Sequence, residues 1–249
     1  MRSLSEKNAT YNNLPTICQN FATCQHCFFC LQKHFLYCRL KKGQSFVALY
    51  FVIWFYGDIM LKDLVLKSRS YRRFYGDEKI LDSDLLDLVE LARSCPSAAN
   101  LQPLKFRIVN DEEENEKLFQ CLHWAGALPE WGGPKGDEKP AAYIIILTDL
   151  RIAKNAATDT GIMAQTMMLG AVEKGLGGCM LGAIDRPEIL KLFDISAEDY
   201  EVSLVLAFGK PKEDVKLVPI PESGSTKYFR DENQVHYVPK RSLEELLLK

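Results

Sequence analysis

The segment Pro96-Ser97-Ala98-Ala99-Asn100-Leu101-Gln102-Pro103 sets two carboxamides among prolines and small residues. Proline limits the backbone, and small side chains let a ligand come close. The amides of Asn100 and Gln102 offer donors and acceptors without charge. That set suits a planar heterocycle with polar edges better than a phosphate or a metal ion. A second set, Arg69, Ser70 and Arg72, offers guanidinium forks and a hydroxyl, which suit a phosphate monoester. By composition alone these residues read more simply as a solvated basic face at a helix end, where cations favour the helix dipole. Lys240 and Arg241 form a further basic pair with the same two readings.

Cysteine usage raises a different possibility. Cys24, Cys27 and Cys30 have C-x-x-C-x-x-C spacing, with Cys18, Cys38, His26 or His34 as a fourth metal or iron–sulfur ligand. A ferredoxin-type run needs a fourth cysteine three residues on, followed by proline, and Gln32-Lys33-His34 stands there instead. No metal ligand is assigned. Cys95, Cys121 and Cys179 are scattered and read as small hydrophobes.

Acid–base and nucleophilic sets are missing from the sequence. Of the 4 histidines, His26 and His34 lie before residue 60, and neither G-x-S-x-G nor H-E-x-x-H occurs. No catalytic side chain is assigned, which suits chemistry carried by a bound cofactor.

The positioning elements follow from pattern. A chain of 249 residues with 47% hydrophobic residues can bury a large core. Its net charge of −2 gives no general pull toward nucleic acid or an anionic membrane. The apolar run over 46–56 is shorter than the roughly 20 residues of a spanning helix. A cytoplasmic location is expected. Helices are predicted over 61–67, from an N-cap at Ser83 to about Ser94, over 112–122, over 158–174, and from Asp185-Arg186-Pro187 onward. Strands are predicted over 105–109, 142–147, 177–181 and 200–208, the second as a continuous apolar run. Ser242-Leu243-Glu244-Glu245 is a capping box. Between 209 and 241 core signal is weak.

In this setting the chain resembles the nitroreductase family of flavin enzymes. Pro96-Ser97-x-x-Asn100-x-Gln102-Pro103 matches its P-S-x-x-N-x-Q-P segment. Ser68-Arg69-Ser70-Tyr71-Arg72-Arg73-Phe74 is similar to its R-R-S-x-R-x-F start. Gly175-Leu176-Gly177-Gly178-Cys179-Met180-Leu181-Gly182 is similar to its G-L-G-x-C-x-x-G segment. The three occur in family order from about Met60 onward. Residues 1–59 lie outside the resemblance and read as a spurious or disordered extension, with 60–249 as an FMN-binding domain.

The resemblance implies an α+β fold: a central, mostly antiparallel sheet flanked by helices, in an intertwined homodimer with a C-terminal extension. It implies that Arg69, Ser70 and Arg72 hold the flavin phosphate, that Lys240 and Arg241 complete that site, and that Arg73 is more doubtful. Pro96, Ser97, Asn100 and Gln102 would meet the flavin ring from the opposite subunit, in active sites shared across the dimer. A backbone N–H at Leu181 or Gly182 would bond flavin N5, leaving Cys179 as packing. FMN fits better than FAD, because no G-x-G-x-x-G is present for an adenine dinucleotide. Trp124 and Trp131 are candidates for a substrate lid, and core packing is an equal reading for both.

The implied function is FMN-dependent oxidoreduction. NADH or NADPH would reduce nitroaromatics, quinones or similar small-molecule acceptors by ping-pong hydride transfer. Related dehalogenases, enone reductases and flavin-fragmenting enzymes stay open, as does a non-redox flavin-binding or regulatory protein on the same fold.

Overall fold

The structure, a computed structural model, describes residues 60–248 other than Pro129. The Cys24, Cys27 and Cys30 spacing and the apolar run over 46–56 lie outside the described residues. The first elements in chain order are α1 (Leu61–Lys67), β1 (Phe74–Tyr75), α2 (Asp82–Arg93), β2 (Leu104–Val109), α3 (Glu112–Gln120) and β3 (Ala142–Asp149). Then come α4 (Ala157–Glu173), β4 (Gly177–Leu181), α5 (Arg186–Leu192) and β5 (Tyr200–Pro211). The last are β6 (Val215–Pro219), β7 (Phe229–Arg230), β8 (His236–Lys240) and α6 (Leu243–Leu246).

The predicted apolar strand is β3, and each of its residues is buried. Such a strand must be central, and β3 lies between β2 and β5, antiparallel to both. β5 also pairs with β4 and, at its far end, with β1, so every pairing in this sheet is antiparallel. Alternation along β3 divides the core. Ile144 and Ile146 pack with Leu85 and Leu88 of α2 and Met163 and Met167 of α4. Tyr143, Ile145 and Leu147 pack with Leu118 of α3 and Ile189 of α5. Truncating one such leucine to alanine costs about 2–5 kcal/mol.

Local chemistry sets the helix ends. Asp111 accepts from the Glu113 and Glu114 N–H groups and starts α3. Asp185 accepts from Glu188 N–H at 3.1 Å, with proline in the first turn of α5. The capping box of Ser242 and Glu245 starts α6 as expected. Ser83 is not the N-cap of α2, which begins at Asp82 without a side-chain cap. Asp82 and Asp84 supply negative charge to its first turn instead, and Asp82 also accepts from Asn110 Nδ2 at 2.7 Å.

The region after β5, weak in sequence signal, forms a second sheet in the order β6-β8-β7. β6 runs parallel to β8, and β7 antiparallel to it. Its anchor is polar. Glu213, with no exposed side-chain surface, accepts from the Arg72 N–H at 2.6 Å and pairs with Arg230. His236 Nδ1 lies 3.6 Å from the same carboxylate.

Candidate functional site

Residues 68–73 leave α1 and lie along β4. Ser70 forms a parallel bridge with Gly178, and the Tyr71 N–H donates to the Gly178 carbonyl at 2.9 Å. The glycines of β4 make this approach possible. A Cβ on Gly177 would stand 2.5 Å from the Tyr71 ring, and one on Gly178 would strike the Ala207 carbonyl of β5. Two motifs distant in sequence are thereby laid side by side.

The same segment forms one wall of a cavity of about 310 Å³, with β8 opposite. Arg69, Ser70 and Arg72 face it from one side, and His236 and Lys240 from the other, with Tyr228 between. Among the described residues no carboxylate lines it. Arg69 Nη2 donates to the Val65 carbonyl at 2.6 Å, closing the end of α1, while its Nε is buried without a partner. The helix-end reading of Arg69 thus holds for Nη2, with Nε left unpartnered among the described residues. Arg72 donates to the Ser70 carbonyl at 3.2 Å and lies over the Tyr228 ring at 4.7 Å. Clustered donors and an orphaned buried N–H fit a phosphate monoester.

Other basic residues fall elsewhere. Arg73 makes a forked pair with Glu138, at 2.9 and 2.5 Å. Hydrogen bonding to Arg73 outweighs burial and holds the Glu138 carboxyl below its ordinary range. Arg241 is exposed and does not line the cavity.

β4 pairs with β5 along one edge, and its other edge is bridged at Gly178. The main chain at Leu181 and Gly182 lies three to four residues further along, about 10–13 Å from that bridge. An added Cβ at Gly182 would meet nothing nearer than Leu204 at 3.9 Å, so space is open there. Cys179 is 2% exposed, and burial pushes its thiol up to about 11, which makes it a packing residue rather than a nucleophile.

The amide segment is built differently. Ser97 Oγ donates to Asp159 Oδ2 at 2.6 Å and accepts from Gln102 N–H at 3.0 Å. The Ala98 N–H donates to the other Asp159 oxygen at 3.1 Å. Asp159, buried in the first turn of α4, is a positioning residue missed in the sequence. Ala99, Asn100 and Gln102 have φ values of 49°, 55° and 52°, left-handed for residues that bear a Cβ. Each such residue costs on the order of 1–3 kcal/mol, and strain of this kind gathers at ligand sites. The Gln102 amide donates to Asn100 Oδ1 at 3.2 Å, and both side chains are exposed. None of Pro96, Ser97, Asn100 and Gln102 lines the cavity. Ser97 is a brace, and Asn100 and Gln102 are exposed on this chain.

Trp124 is 9% exposed and packs against Phe119, in the core face shared with Ile145. Trp131 is half-buried, with the Arg230 guanidinium 4.3 Å above its ring.

Comparison with known proteins places this arrangement in context. The model described as "Nitroreductase family" matches residues 65–210. The iodotyrosine deiodinase of Thermotoga neapolitana is 29% identical over 194 residues, covering 72% of this chain and 97% of that protein. The putative NADH dehydrogenase/NAD(P)H nitroreductase of Archaeoglobus fulgidus is 27% identical over 158 residues, covering 60% and 85%. The solved structure of a putative nitroreductase in complex with FMN from Exiguobacterium sibiricum has a TM-score of 0.55 at 17% identity, covering 66% of this chain and 94% of that one.

Proposed function

The chain belongs to the nitroreductase family and is an NAD(P)H-dependent flavin oxidoreductase, and from that premise we propose that its FMN sits between the basic cavity and β4. The observation that carries the reading is the convergence of Arg69, Ser70, Arg72 and Lys240 on one cavity without a carboxylate, bridged through Ser70 to β4. In it the cavity takes the phosphate, and an N–H of Leu181 or Gly182 takes the edge of the ring. The bound flavin supplies two-electron chemistry, accepting hydride from a nicotinamide and passing electrons to a second substrate. The protein's part is to hold, orient and partly enclose the reacting ring.

The exposed Asn100 and Gln102 are read as serving the ring of a second subunit, in a homodimer with two shared sites. Two observations support that. α1 and α6 have no buried residues, yet carry exposed Leu61, Leu66, Leu243 and Leu246. Apolar surface of this kind marks an interaction site. The second is the left-handed backbone at Ala99, Asn100 and Gln102, which presents the two exposed amides. Trp131 is the better-placed lid residue; Trp124 is proposed as its support. A cytoplasmic location is proposed alongside. Among the described residues no helix is long and apolar enough to cross a membrane.

The acceptors are proposed to be nitroaromatics or quinones. A reductive dehalogenation is the second reading, favoured by the match to 97% of the deiodinase. Both are tested on the purified full-length protein. FMN at one per subunit is expected, bleached by NADH or NADPH without oxygen. The reduced protein is then mixed with a nitroaromatic, a quinone and a halogenated phenol. Reoxidation by the first two supports the leading reading, and halide release from the third alone would replace it. A protein that binds FMN but is not reduced by either nicotinamide would be a non-redox flavin binder.

A further inference from the structure

We propose that His236 is a further phosphate-binding residue of the cavity, donating from Nε2 to the cofactor's phosphate, with Glu213 as its positioning residue. The proposal rests on the reading of the cavity as the phosphate seat. His236 is 1% exposed and lines the cavity with Arg69, Ser70, Arg72 and Lys240. Among the described residues neither of its ring nitrogens has a partner within hydrogen-bond distance, Glu213 standing just beyond it. A buried imidazole in that condition is costly unless something else satisfies it.

The surroundings decide what that something is. Nδ1 lies 3.6 Å from Glu213 Oε1, the separation of an ion pair. Glu213 is itself fixed by the Arg72 N–H and by Arg230, so the carboxylate cannot turn away. The Tyr228 ring packs on the imidazole at 5.1 Å, and Arg72 lies over the same tyrosine. The ring plane is held on one face and at one nitrogen. Nε2 is left without a partner, in a residue that lines the cavity. The carboxylate behind Nδ1 fixes the orientation of the ring, and a donor N–H at Nε2 requires an acceptor. Among the described residues the cavity lining offers cations and hydroxyls but no carboxylate, a setting that suits an anionic acceptor brought by the ligand. Lys240, four residues along β8, approaches from the same strand.

The test compares FMN with riboflavin, which has the same ring and lacks the phosphate. Binding to the full-length apoprotein is followed by quenching of flavin fluorescence, with Arg69→Ala as control. His236→Leu is expected to weaken FMN roughly ten- to a hundredfold, the worth of one charge-assisted hydrogen bond, and riboflavin by less than twofold. His236→Gln, which keeps an N–H donor, should recover part of the loss and decides the matter if the leucine variant does not fold. Equal weakening of both flavins, or none of either, with FMN still selectively lost in Arg69→Ala, would overturn the role of His236 alone. Absence of selective loss in Arg69→Ala as well would overturn the phosphate seat on which it stands. In the unsubstituted protein, the His236 Nε2 nitrogen resonance should shift on FMN binding and stay in place with riboflavin.

Discussion

Two arginines four residues apart differ in their surroundings. Arg69 lines the cavity and has a buried Nε without a partner among the described residues, whereas Arg73 is consumed by Glu138. Arg69→Ala should therefore weaken FMN by about 1.5–3 kcal/mol, and Arg73→Ala should leave FMN affinity unchanged while lowering the melting temperature. Equal, negligible effects in a flavin titration would return Arg69 to a helix-end role. Glu213 has a pH signature. Burial raises its carboxyl, but His236, the Arg72 N–H and Arg230 together bring it below the ordinary 4.5. A depressed carboxylate contributes stability that is complete above that ordinary value and is lost as pH falls through the lower folded value. Melting temperatures taken from pH 7 down to pH 3 should fall more steeply below pH 4.5 for the native protein than for Glu213→Gln. Parallel curves would remove Glu213 as the anchor of the second sheet.

Four strands of the central sheet were legible because they advertise themselves, whereas the two-residue β1 carries no such pattern. β3 is one continuous apolar run, and β4 is set off by Gly177 and Gly178. The second sheet was not, because its anchor is a charged set, Glu213, Arg72 and Arg230, that hydropathy reads as surface. His236 was given no role from the sequence; its place at the cavity depends on the approach of residues 68–72, some 165 positions earlier. Asp159 was silent for the same reason: an acidic residue in the first turn of a helix looks like dipole compensation until Ser97 and Ala98 are placed against it. Strand β4 allows a test of which glycines serve packing and which serve the ligand. Gly178→Ala drives a Cβ into the Ala207 carbonyl and should cost about 1–3 kcal/mol in thermal unfolding. Gly182→Ala meets only Leu204 at 3.9 Å, so it should melt like the native protein yet bind flavin less tightly. Normal flavin affinity in Gly182→Ala would move the ring away from this end of β4.

The molecule as a whole is proposed to work in pairs, and complementation can show it. Subunits carrying Arg69→Ala with Ser70→Ala, co-expressed with subunits carrying Asn100→Ala with Gln102→Ala, should give a heterodimer in which one site holds both damaged halves and the other neither. About half the native activity is expected from two equivalent sites. A purified heterodimer no better than its parents would place both segments within one protomer's site. A chain beginning at Met60 should fold and bind FMN like the full sequence, since the matched motifs lie beyond that residue; loss of flavin in spectra of the shortened protein would make residues 1–59 integral. The cavity itself joins residues 68–72 to residues 228–240, with the central sheet encoded between them. On the ribosome, a chain that has emerged only as far as Gly209 already holds nearly every strand of that sheet, but just one wall of the cavity proposed to seat the phosphate. On that proposal flavin capture waits for the second sheet to be synthesised, and the yellow colour of the protein would be a sign that translation has passed Lys240.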